Sequence, residues 1–231
     1  MRGSRMSVFV LDNISWKTDV DKLMEKYCIP RGSDDAERLG VLAREAEKAG
    51  KPKALFKVSY IEDRGHDFVV IDGIKFTSRV LRINLEETYR VFPYIVTCGT
   101  EIDQWSKSIS GFMESYWVDG IKEMALREAT RALYSKIEHD YRPGSMSGMN
   151  PGSIEDWPID QQKQLFRLLG NPKQDIGVEL TDSCLMIPIK SSSGILFSDS
   201  KGFENCRMCS RENCPGRRAP YDPQFVDSYS E

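Results

Sequence analysis

A chain of 231 residues, 40% apolar and 29% charged, is long enough for one main domain with a proper core and has the composition of an ordinary soluble protein. A formal net charge of -3 excludes global attraction to nucleic acid, and no apolar run approaches the length of a membrane span. The first sixteen residues hold an apolar run too short for a secretory leader, so the expectation is a reducing, cytoplasmic setting with no membrane and no nucleic-acid partner.

In chain order, Ser33 to Gly50 has apolar residues at helical spacing, acids at its start and a glycine stop, which predicts an amphipathic surface helix. From Ala54 the pattern changes to β-branched and aromatic runs, ALFKVSY, DFVVIDG, IKFTSRVL and YRVFPYIVTCG, separated by EDRGH and DG turn signals. Successive antiparallel strands follow from it. Thr100 to Asp140 returns to helix, with Ile121, Met124, Ala125, Ala132 and Leu133 on one face. Glu128 lies four residues from both Met124 and Ala132, so its carboxylate is expected to be partly buried and to need a cation or several donors.

The segment YRPGSMSGMNPGSIEDWP then reads as a loop too long for a simple connector. Its glycines let backbone approach a ligand, and Arg142 offers a fork for a carboxylate. DQQKQLFRLLG predicts a helix capped by Gly170; IGVELTDS and CLMIPIKSSSGILFS read as strands, and DPQFVDSYSE as a frayed end.

Near the end stand Cys206, Cys209 and Cys214 in the run CRMCSRENC, with no histidine near. In a reducing compartment this spacing favours a soft metal over disulfides, and the missing histidine puts an iron-sulfur cluster ahead of zinc. A closed site wants four ligands. Cys184, Cys98 or Cys28 completes it, or one position stays open. Arg207, Arg211, Arg217 and Arg218 interleave with the thiols and suit phosphates, carboxylates or an acidic partner.

EDWPIDQQKQLFRLLG followed by IGVELTDSCLMIPIKSSSGILF, with TCGTEI upstream, resembles the reactivation domain of cobalamin-dependent methionine synthase, the domain that binds S-adenosylmethionine. The resemblance covers roughly Asp72 to Phe203. The cysteine tail lies outside it and is similar to the extension of free-standing relatives of that domain. The resemblance implies an α+β fold, a twisted antiparallel sheet with flanking helices, and a shallow ligand groove. It divides the chain into an N-terminal helical segment (1–50), the activation-like domain (51–203) and a metal-binding tail (204–231).

By the same resemblance Arg142 takes the ligand carboxylate, Glu128 a cationic group, and Phe203 a ring or ribose face. Pro151, Gly152 and Ser153 form the ligand turn, with serine where the family has tyrosine. The implied role is a reactivation factor, associated with a methyltransferase and methionine biosynthesis. It supports reductive methylation of cobalamin on a separate corrinoid protein or truncated methionine synthase, with an electron donor close by. The protein would position the methyl group rather than act as a base. The alternative is an iron-sulfur or zinc assembly module of a corrinoid methyltransferase system that has lost S-adenosylmethionine binding.

Overall fold

The computed structural model describes residues 8–214 and 216–229. Strand β1 (Phe9–Leu11) is followed by helices α1 (Val20–Tyr27) and α2 (Asp34–Ala49). The predicted amphipathic helix forms within a residue of its expected bounds: the Ser33 hydroxyl accepts the Ala36 N–H at 3.2 Å, and Gly50 ends it. This first segment is not purely helical, because β1 pairs antiparallel with β2 (Lys53–Phe56) and so joins the main sheet.

Strands β3 (Ser59–Arg64), β4 (Phe68–Ile71) and β5 (Ile74–Thr77) make successive antiparallel pairs. The expected strand IKFTSRVL stops at Thr77. Ser78 caps a helix there, its hydroxyl accepting the Leu81 N–H, and Asp156 accepts the N–H groups of Arg79 and Val80 at 3.2 and 3.0 Å. Those contacts satisfy the free amides of helix α3 (Arg79–Asn84) and override the strand-like side chains. Asp156 of the quoted EDWP motif is therefore a cap.

β6 (Arg90–Thr97) is the central strand. It pairs with β2 and β3 along one edge and with β10 (Ser191–Ser198) along the other, and β10 pairs with β7 (Met146–Met149). Burial is continuous along β6 because both faces are covered. Phe92, Tyr94 and Val96, with Ala54, Phe56 and Leu196, pack on the long helix α5 (Phe112–Tyr141). Val91 and Ile95, with Leu55, Ile195 and Phe197, pack on Trp157 and on Leu165, Leu168 and Leu169 of α6 (Gln162–Leu169). The layers are thus helix, curled antiparallel sheet, helix, as the α+β expectation requires.

The helical region 100–140 divides into α4 (Thr100–Ser106) and α5. The α5 core face is Trp117, Val118, Ile121, Ala125, Ala129, Leu133 and Ile137, with Met124 and Ala132 half-buried at its margin. The expected loop after α5 contains β7, because its small alternating side chains fit against β10. The preceding PKQDI forms a short helix α7 (Pro172–Ile176), and IGVELTDS contributes only a two-residue strand β8 (Glu179–Leu180) paired with β9 (Met186–Ile187). The tail forms α8 (Asn205–Met208) and α9 (Pro223–Asp227). Its end is not frayed as expected, since Phe225 and Tyr229 pack against Phe203; residues 230 and 231 lie outside the described residues.

Candidate functional site

A groove of about 570 Å³ runs beside α5. One wall is the chain from Val10 to Ser15, the end of β1 and the turn after it. The other is the α5 stripe Glu128, Arg131, Ala132, Ser135, Lys136 and His139, spaced as one helical face. From Glu128 to His139 the stripe is roughly 16 Å long at the α-helical rise. Glu128 is half-buried, as its position among apolar neighbours demands, and both its oxygens accept from the Arg131 guanidinium at 2.8 and 2.9 Å. That arginine is 73% exposed, so solvent screens the pair and a competing cation displaces it at little cost. Asp12 lies on the facing wall. Two carboxylates on opposite walls, with Leu11, Ile14 and Ala132 between, fit an elongated ligand that has a positive centre and an apolar body.

Arg142 is the left-handed cap that ends α5, with φ +46° and its N–H donated to the Glu138 carbonyl at 3.1 Å. It is exposed and stands about 21 Å beyond Glu128 along the axis, past the last groove residue, His139. The structure therefore places Glu128 in the groove and Arg142 just outside its far end.

Pro151, Gly152 and Ser153 lie elsewhere. Asn150 to Ser153 is a tight turn in which the Ser153 N–H reaches the Asn150 carbonyl at 3.1 Å, with proline second and glycine third at φ +82°. The turn follows β7, at the opposite edge of the sheet from β1. Across β1, β2, β6, β10 and β7 the distance is about 19 Å at the usual strand spacing. Ser153 borders a second cavity, of about 420 Å³, together with Asp156, Cys209, Arg211 and Tyr221.

The Phe203 ring is 5% exposed and is covered by Phe225 and Tyr229, each 5.9 Å away between centroids, so the tail's own aromatic residues occupy it. Beneath the tail lies a buried polar cluster absent from the sequence-based site. Asn150 donates to Tyr94 Oη at 2.8 Å and to the Ser193 carbonyl at 2.7 Å. Gln162 donates to Ser193 Oγ at 2.9 Å, and Asn205 to the Gly148 carbonyl at 3.1 Å. Asn150 and Gln162 stood inside the quoted motifs, but no local pattern separates such a buried amide from an exposed one. Asp12 carried no signal at all, because its relation to Glu128 depends on β1 pairing with β2.

The three tail cysteines are free and half-buried. Among the described residues, no three histidine, cysteine, aspartate or glutamate side chains stand close enough to form a ready-made metal site. Cys98 belongs to the core cluster around α2 and α4, where burial pushes its thiol up to about 12 and disfavours the thiolate. Cys28 is the exposed cap of α1, and Cys184 lies in the β8–β9 hairpin.

No protein-family model and no curated protein matches the sequence. Among solved structures the fold is similar to the crystal structure of the MetH reactivation domain bound to AdoHcy, with a TM-score of 0.57 and 16% identity over 87% of this chain and 82% of that one. Likeness at that identity establishes the fold.

Proposed function

We propose that this chain binds S-adenosylmethionine in the groove beside α5 and serves as a reactivation factor for a cobalamin carried by a separate corrinoid protein or methionine synthase. One observation carries the reading: Asp12 and Glu128 line opposite walls of the same groove, in a fold similar to a domain crystallised with AdoHcy. The bound molecule would supply the methyl group. Asp12 and Glu128 would attract its sulfonium or ammonium centre, the apolar strip at Ile14 and Ala132 its uncharged part, and the Lys136 ammonium its carboxylate, while Arg142, which the sequence resemblance put in that role, stands outside the groove. No side chain in the groove is asked to abstract a proton, so the protein acts by positioning. An electron donor and the corrinoid would come from partners.

Calorimetry tests the reading. The wild-type chain is expected to bind S-adenosylmethionine with a Kd on the order of 1 to 100 μM, and Asp12→Asn and Glu128→Gln each to weaken it by about tenfold, equivalent to about 1.4 kcal/mol. No binding at millimolar ligand, or equal binding by both variants and wild type, defeats it.

A further inference from the structure

We infer that the N-terminal end of α5 is a self-association surface, against which a second copy of this chain packs about a two-fold axis. The inference stands whether or not the groove beside α5 binds S-adenosylmethionine. Phe112, Met113 and Tyr116 are 88%, 52% and 57% exposed, so the longest helix among the described residues begins by holding three large apolar side chains in water. The patch is held in shape from beneath. The Tyr27 ring of α1 lies 4.8 Å from that of Tyr116 between centroids, and its hydroxyl donates to the Tyr116 carbonyl at 3.3 Å. Gly120 makes room for it, since a Cβ there would stand 2.2 Å from Tyr27 Oη. Rings fixed in this way lose little entropy when a partner covers them.

Area decides what size of partner fits. At roughly 200 Å² for each large side chain, the three present about 400 Å² of apolar surface. A standard interface takes about 800 Å² from each partner, and a little over half of that is apolar. The patch therefore matches the apolar share of one side of such a contact. The chain's own N-terminus does not reach it. The seven residues before Val8 leave beside β1, where the Phe9 ring meets that of Tyr141 at the other end of α5. Phe112 is roughly 44 Å from Tyr141 at the helical rise, and seven residues at full extension span only about 25 Å.

Charge decides what kind of partner fits. Near the patch, Glu114 pairs with Arg38 at 2.6 Å, Asp119 with Lys190 at 2.7 Å, and Glu123 with both Lys26 and Arg127 at 2.9 and 2.6 Å. Both signs are present and each acid already has a base, so a strongly acidic or strongly basic partner gains nothing there. An identical rim turned through half a revolution offers each acid a base and each base an acid, which is the condition for an isologous contact. Such a dimer leaves both grooves open, because Glu128 stands roughly 24 Å from Phe112 along the helix axis.

Sedimentation equilibrium of the full chain, across roughly 1 to 500 μM, tests the inference. The expected result is a reversible rise from 26.4 kDa toward twice that mass, with a dissociation constant on the order of 10 μM. Phe112→Glu puts a charge at the centre of the contact and is expected to weaken the dimer at least about thirtyfold, with the denaturation midpoint unchanged because the side chain is exposed in the single chain. Tyr89→Glu, at an aromatic residue 76% exposed and outside the patch, is expected to leave the dimer as tight as wild type. A second measurement needs no variant: in radical footprinting of the wild type, Phe112, Met113 and Tyr116 are oxidised less at high than at low concentration, while Tyr89 is oxidised equally. A single 26.4 kDa species at every concentration overturns the inference, including the case in which the patch binds phospholipid vesicles or a different protein instead. A dimer that Phe112→Glu leaves intact, or equal oxidation of the three side chains at both concentrations, overturns it as well.

Discussion

The two flanks of α5 hold different kinds of structure. On the β1 side, the groove is made by side chains on regular elements, Glu128 on a helix and Asp12 after a strand, and its polar groups are partly solvated. On the β7 side, Tyr134 of α5 faces Gly148, and nearby Asn150 and Asn205 donate to the main-chain carbonyls of Ser193 and Gly148. Burial pushes the Tyr134 phenol up to about 12 and also raises Tyr94. The difference teaches that the first flank can exchange partners cheaply, whereas the second can change only by undocking a piece of chain. A reversible small ligand suits the groove, whereas the tail is built as a fixed cover over the β7 edge.

The strongest way to break that comparison is to remove what pins the tail. Phe203→Ala deletes a ring that is 5% exposed and is covered by Phe225 and Tyr229, at a cost of about 3–5 kcal/mol by the usual price of a buried phenylalanine. In chemical denaturation the midpoint should fall while groove-ligand affinity in the folded state holds within about twofold; a tenfold loss of that affinity would show that the flanks are coupled. Gly194→Ala is the next largest. A Cβ there would stand 2.4 Å from the Met149 carbonyl and 2.5 Å from Asn150 Nδ2, so β7 and its turn must move. Overpacking of this kind costs about 1–3 kcal/mol, and hydrogen exchange should rise in residues 146–153 but not in β1. Equal exchange in both segments would refute a separation of the two edges.

How much of this was legible in the sequence follows the same division. The amphipathic pattern of 33–50, with a serine cap and glycine stop, is local information, and α2 forms as read. The hairpins β3–β4 and β4–β5 were legible for the same reason, since period-two patterns and turn residues are read within one hairpin, whereas ALFKVSY, read as one strand, divides into β2 and β3, which each pair with the distant β6 instead of with each other. Ser78 was misread because its cap needs Asp156, 78 residues away. Glu128 was found because its helix declares its face. Its facing acid, Asp12, was not, because their juxtaposition comes from tertiary pairing. Phe203 was legible as an aromatic ring in a motif, yet its covering residues arrive from a segment whose composition suggested fraying. The thiols were conspicuous, but Arg217 looked like one basic residue among four until its guanidinium closed the loop on the Cys206 and Cys209 carbonyls.

The gentlest probe of the comparison is acid. Asp222 is held below its ordinary value of 3.8 by the Arg207 guanidinium and then by the Phe225 N–H. Asp199 is lowered too: burial opposes this, and the N–H groups of Phe203 and Lys201 outweigh it. A carboxyl whose value is depressed on folding contributes stability that is fully present above its unfolded value and disappears as pH falls through the folded one. Both groups fasten residues 199–227, so the tail should loosen below about pH 4 before α5 does. Hydrogen exchange corrected for intrinsic rate measures this directly, with amides of 203–227 losing protection at higher pH than those of 117–137. Asp222→Asn should flatten the tail's pH dependence and lower its protection slightly at neutral pH. Loss of protection in both segments at one pH would mean that the tail is no separate unit, and that the cysteine loop and the α5 groove answer to a single unfolding event.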